Sequence, residues 1–124
     1  MRITISVPPS DVVDKIAILE VKLVNIRAPK KRAAVKREYH ALKKVFATLP
    51  RSRILNSLRK QLIELHVRQW RLEDQTRVLL KTRKFKAAAL AAQKVHRSND
   101  ERNALKRLID RHLGAEFSDE KQYA

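Results

Sequence analysis

Between Arg51 and about Thr82, leucine recurs at Leu55, Leu58, Leu62, Leu65, Leu72 and Leu79, in steps of three and four wherever the run is unbroken. On a helix of about 3.6 residues per turn this spacing draws one apolar stripe. It predicts a single long helix whose stripe must be buried by other helices. Gln69 and Thr76 fill the two places where leucine is skipped, and Trp70, Glu73, Asp74 and Arg77 lie beside them. The first half of this helix is therefore a leucine seam, and the second half carries polar groups where a core is expected.

The rest of the chain supplies partners for that stripe. A first helix is predicted from Ser10 to about Arg27, with Val12, Ile16, Leu19, Leu23 and Ile26 on its seam and Val13, Ile18, Val21 and Val24 widening it. A helix apolar around most of its circumference belongs in the centre of a bundle. Ser10 reads as its N-cap, with Asp11 and Asp14 favourably near the positive end of the helix dipole. Ahead of it, Ile3, Ile5 and Val7 alternate with Arg2, Thr4 and Ser6 and end at Pro8-Pro9, the pattern of a short strand. A lone strand leaves its backbone groups unpaired, so the expected partner is the segment around Phe117 to Tyr123 or the same strand of a second subunit.

Pro29 opens a second helix, to about Thr48, with Val35, Leu42, Phe46 and Leu49 on one side. A fourth helix runs from Phe85 to Leu113 and closes at Gly114. If the third and fourth helices form an antiparallel hairpin about Arg83-Lys84, facing positions sum to roughly 167. Leu62 then meets Leu105, Leu58 meets Ile109, Leu55 lies near Leu113, and Gln69 comes opposite Ser98 and Asn99. The predicted fold is all-α: one domain over residues 1–124, an elongated bundle of four helices with a long antiparallel helical hairpin, an extended N-terminal segment over 1–9 and a tail over 114–124.

Composition agrees and narrows the function. One glycine and four prolines favour few, long elements, and 44% hydrophobic residues are too many for a disordered chain. The absence of cysteine excludes disulfides and thiolate metal sites. Nothing reads as a leader peptide or a membrane span, and the expected location is the cytoplasm.

The 29 Lys and Arg against 13 Asp and Glu, net +16, attract polyanions. The charge is concentrated, because Val21 to Leu72 holds 15 basic residues and two acids, Glu38 and Glu64. On the outer side of the second helix lie Lys30, Lys36, Arg37, Lys43 and Lys44, and on the third Arg53, Lys60, Arg68 and Arg71. Aromatic residues are only 5% and do not alternate with the basic ones, which argues against a single-strand stacking platform. No helix-turn-helix, finger or basic-zipper pattern is present. The expected ligand is thus nucleic acid, DNA or RNA, held through backbone phosphates without sequence readout. A charged outer face is also what any solvated surface helix carries.

A second constellation is the polar patch. Gln69, Glu73, Asp74 and Arg77 are placed against Arg97, Asn99, Asp100, Arg102 and Lys106, with Glu20 of the first helix beside them. Buried charge must be paired, so the patch reads as a satisfied structural network, a pocket for an anion or partner, or a divalent-metal centre using Glu20, Glu73 and Asp100. Basic residues crowd the third option. His40, His66, His96 and His112 lack the i, i+4 partner of a helical metal pair and read as surface or seam-edge residues. No catalytic residue, metal or cofactor is assigned. The alternatives to nucleic-acid binding are an assembly protein with an acidic protein partner and a small metal-dependent enzyme. The apolar first helix and the Ile3–Val7 strand also fit a homodimer.

Four segments carry a resemblance. They are Asp14-Lys15-Ile16-Ala17-Ile18-Leu19-Glu20-Val21-Lys22, Trp70-Arg71-Leu72-Glu73-Asp74 with Arg77, Asn99-Asp100-Glu101-Arg102 with Ala104-Leu105-Lys106, and Leu113-Gly114-Ala115-Glu116 with Glu120-Lys121-Gln122-Tyr123. In this order they resemble a functionally uncharacterised family of small helical proteins of bacteria and their phages. The resemblance covers most of the chain. It implies that the polar patch and the Glu-Lys-x-Tyr tail are family features and that the tail folds back onto the bundle. It implies no activity, and the middle from Lys30 to Arg71 is more basic than such a family leads one to expect.

Overall fold

The computed structural model describes residues 1–115 as four helices: α1 Pro9–Asn25, α2 Pro29–Phe46, α3 Arg53–Lys81 and α4 Phe85–His112. The chain is an all-α bundle, as its periodicity predicts. Each helix lies close to the predicted span, with its ends set by its caps. Ser52 rather than Arg51 sets the start of α3, because its Oγ accepts the Leu55 N–H at 3.0 Å. Ser52 also meets His112 Nε2 at 2.9 Å, which ties the start of α3 to the end of α4.

Both helices of the α3–α4 hairpin end in the same closure, α3 at the turn between them and α4 at the end remote from that turn. At α3, Lys84 N–H bonds Leu79 C=O at 2.8 Å and Arg83 N–H bonds Leu80 C=O at 3.1 Å, with Arg83 at φ 59°. At α4, Ala115 N–H bonds Asp110 C=O and Gly114 N–H bonds Arg111 C=O, with Gly114 at φ 63°. Both are Schellman closures, in which the residue after the cap must be left-handed. Glycine fits that conformation at the second, and arginine is strained into it at the first.

Across the hairpin, Gln69 faces Asn99 and Arg68 faces Glu101, one or two residues from the predicted register. Leu55, Leu58, Leu62 and Ile109 join Val13 and Ala17 of α1 in one buried cluster, with Leu105, Leu113, Ile63, Phe46 and Leu49 packed against it. α1 is central, as expected: it touches each of the other helices and buries Val13, Ile16, Ala17 and Leu19 completely or nearly so. α2 packs along α1 and buries no residue fully, and only its stripe of Val35, Tyr39, Leu42 and Phe46 is half-covered.

α1 has 17 residues and α3 has 29, about 25 Å against about 43 Å. The far part of the hairpin therefore extends beyond α1 as two helices alone. Ala88 and Ala91 are buried there, small residues that let the two backbones approach.

Two expectations at the N-terminus are corrected. Ile3 to Val7 form no strand: among the described residues no second strand exists to receive their backbone groups, and Ile3 and Ile5 are 81% and 72% exposed. The suggested partner around Phe117 to Tyr123, and the fold-back of the tail, fall outside the described residues. Ser10 is not the N-cap of α1 either. Pro8 is, and Pro9 occupies the first turn, where its fixed φ suits a helix and no N–H is missed. Ser10 lies inside the helix and is fully buried, with a partner from the opposite end of the chain.

Candidate functional site

That partner is Asp110. Its carboxylate accepts the Ser10 N–H at 2.9 Å and the Ser10 hydroxyl at 2.8 Å, and it is 1% exposed. One turn earlier on α4, Lys106 Nζ pairs with Asp11 at 2.8 Å. One further turn back, Arg102 grips Asp14 through Nε at 3.0 and 3.1 Å and a terminal nitrogen at 2.5 Å. α4 thus sets Asp110, Lys106 and Arg102 against Ser10, Asp11 and Asp14 in antiparallel order. The four-residue steps on α4 hold all three on one face of that helix. The Ser10 N–H at the start of α1 is thus satisfied by Asp110 of α4 rather than by a local side-chain cap, and the Asp110 charge suits the positive end of the helix dipole.

Asp14 is the centre of this ladder, at 3% exposure. His66 Nε2 approaches its Oδ1 at 2.7 Å. An ionised carboxylate only accepts, so Nε2 carries the hydrogen. Burial works to raise the Asp14 pKa, but the hydrogen bonds from His66 and Arg102, with their charge, outweigh it and hold the carboxyl below its ordinary value. A buried carboxylate is tolerated here because donors on α3 and α4 both reach it.

Above this centre opens a cleft of about 240 Å³ lined by Ile18, Val21 and Lys22 of α1, His66, Gln69, Trp70 and Glu73 of α3, and Asn99 and Arg102 of α4. Gln69 Nε2 donates to Asn99 Oδ1 at 2.8 Å across its floor. Of the predicted patch, then, Gln69, Glu73, Asn99 and Arg102 come together. The remaining members separate. Glu20 pairs with Arg59 of α3, Arg77 pairs with Asp74 at 2.8 Å on the open surface, Lys106 serves Asp11, and Asp100 is exposed. Glu20, Asp74, Arg77, Arg102 and Lys106 are thus each engaged in an ion pair, and among the described residues no group of three or more His, Asp or Glu side chains could hold a metal ion.

On the other side of the hairpin lies a larger cleft of about 400 Å³. Arg68 and Arg71 of α3 face Lys94 and Arg97 of α4 across Leu72 and Ser98, with Glu101 the one acid lining it. Arg68 pairs with Glu101 at 2.9 Å. All nine basic residues singled out in the sequence, Lys30, Lys36, Arg37, Lys43, Lys44, Arg53, Lys60, Arg68 and Arg71, are exposed. Arg68 and Arg71 share a cleft with Lys94 and Arg97. Lys43 lies over the Tyr39 ring at 5.6 Å, and with Arg51 it lines a separate hollow at the α2–α3 connection.

Sequence reasoning missed Asp14, His66, Ser10, Asp11 and Asp110 as partners. The available signal was complementary: acids and a hydroxyl close together at Ser10, Asp11 and Asp14, and polar residues four apart at Arg102, Lys106 and Asp110 on a helix otherwise seamed with alanine and leucine. No helix among the described residues is long and apolar enough to cross a membrane. In comparisons with known proteins the chain matches no family model, no curated protein and no solved structure.

Proposed function

We propose that this is a cytoplasmic, non-catalytic basic bundle that binds nucleic acid through backbone phosphates, without sequence specificity. The observation that carries the reading is the α3–α4 cleft, where four cations from two helices face one another with a single acid to offset them. The two helices bring these cations to one groove, and the exposed arginines and lysines beside it extend the field that attracts phosphates. Arginine suits this work, since its planar fork holds a phosphate by two hydrogen bonds. The proposed family membership, resting on the four segments, adds no activity of its own.

The test is Arg71→Gln combined with Arg97→Gln. Both side chains are exposed, so the bundle is expected to fold with unchanged helicity. Each phosphate left without its cation should flatten the slope of log affinity against log salt by roughly 0.9, so the double variant should flatten it by about 1.8. A variant that keeps the parent's affinity and slope removes the cleft from the account. If Lys43→Glu with Lys44→Glu then weakens binding, the nucleic-acid surface is α2. Binding to an acidic protein in place of nucleic acid would favour an assembly role. The exposed, unpaired Ile3–Val7 segment supports pairing with a second copy of the chain, which sedimentation of the full chain against a variant lacking residues 2–7 reads directly.

A further inference from the structure

The far end of the hairpin combines two properties that neither the phosphate cleft nor the core uses. Val78 is 59% exposed, Leu80 50%, Phe85 61% and Leu90 56%. Between them stand Lys81, Arg83, Lys84 and Lys86, and from Val78 to Gln93 the sequence has no acid. Large apolar side chains held in water beside uncompensated cations call for a partner that is apolar within and anionic at its surface.

The geometry selects among such partners. On α3, Val78 and Leu80 lie about 200° apart, and Phe85 begins the opposite helix just across the turn. The exposed apolar groups therefore surround the end of the hairpin instead of forming a stripe along one side. A partner helix or groove covers one side of an element. A fluid interface surrounds an end. α1 stops short of this region, so the tip is free of the bundle's other helices.

We infer that the tip of the α3–α4 hairpin docks end-on onto an anionic lipid surface, with Leu80 and Phe85 entering the boundary of the acyl chains and Lys81, Lys84 and Lys86 meeting the headgroup phosphates. This is interfacial binding, in which buried apolar area and attraction to anionic lipid act together. It is independent of the nucleic-acid reading, because it uses other residues and another ligand.

The experiment is flotation of the full chain with phosphatidylcholine vesicles, with and without phosphatidylserine, beside Leu80→Ser with Phe85→Ser and Lys84→Gln with Lys86→Gln. The parent is expected to bind only the phosphatidylserine vesicles. Removing the two apolar side chains should weaken binding by about tenfold or more, and each cation removed by about five-fold. All four sites are exposed, and circular dichroism verifies that helicity is kept. Because the chain has no cysteine, Phe85→Cys can carry a single environment-sensitive dye, whose emission should shift to the blue on anionic vesicles and stay unchanged with duplex DNA. Vesicle binding undiminished in Leu80→Ser with Phe85→Ser overturns the proposal, since attraction is then charge alone. A dye shift with DNA and none with vesicles overturns it as well, as does failure of the parent to bind either vesicle.

Discussion

Replacing Asp14 by asparagine keeps the side chain's shape and removes the charge on which Arg102 and His66 converge. Its size follows from burial. Removing one partner of a fully buried ion pair costs about 3–5 kcal/mol, chiefly because the other charge is left stranded. Here the Asp14 and His66 side chains are nearly inaccessible, at 4% and 8%, but the Arg102 side chain is 31% exposed and keeps part of its hydration. The expected loss is therefore about 2–3 kcal/mol, a fall in Tm of about 10 °C for a chain of this length.

The pH dependence separates charge from packing. The folded Asp14 carboxyl titrates below its ordinary value, whereas in the unfolded chain it titrates near 3.9. Between these values the unfolded state binds more protons, so stability rises with pH there. The contribution is complete above about pH 5 and is lost as the pH falls through the folded pKa. Urea unfolding followed by circular dichroism should show a constant gap between parent and Asp14→Asn from pH 7 to about 5, closing below that. A gap under about 0.5 kcal/mol, or one that stays the same down to about pH 3, would refute the reasoning: the first is the size of an ordinary surface change, and the second is independent of the carboxylate's charge.

Other perturbations have definite expectations. Leu62→Ala, at a fully buried position in the centre of the core cluster, should cost about 3–4 kcal/mol in urea unfolding, within the usual range for a leucine cavity. Ser52→Ala removes the α3 cap and the hydrogen bond to His112 and should cost about 1 kcal/mol. Arg83→Gly should stabilise the chain by about 0.5–1 kcal/mol, since glycine adopts φ 59° without a Cβ clash. A lower Tm in that variant would show that the arginine side chain contributes more than its backbone strain costs. Arg77→Gln breaks only an exposed pair with Asp74, and its unfolding midpoint should match the parent's.

The helices and the hairpin register were legible because both depend on apolar period alone. Leucine at Leu55, Leu58 and Leu62 can be buried on only one face, and Leu105, Ile109 and Leu113 offer only one matching face. The α1–α4 ladder was not legible in the same way. Asp11 and Asp14 already have a sufficient local explanation in the dipole of α1, so nothing in the neighbourhood demands a partner 88 or more residues away. Ser10 likewise resembles an N-cap, and only the tertiary hydrogen bonds with Asp110, together with Pro9, move the helix start ahead of it. His66 sits on the edge of the leucine seam as expected, and its burial follows from the position of Asp14 across the interface. The basic residues were legible as exposed. Which of them share a cleft was not, because Arg68 and Arg71 meet Lys94 and Arg97 only once the hairpin register is set.

The most direct test of a phosphate-binding bundle is the affinity of the full chain for duplex DNA and duplex RNA through a salt series, with inorganic polyphosphate as competitor. Sub-micromolar to micromolar binding that falls steeply with salt is expected, with a slope set by several phosphates and a preference for the duplex over polyphosphate. Weak binding that is equal for every polyanion would contradict it and leave the charge of +16 as a property of a solvated surface.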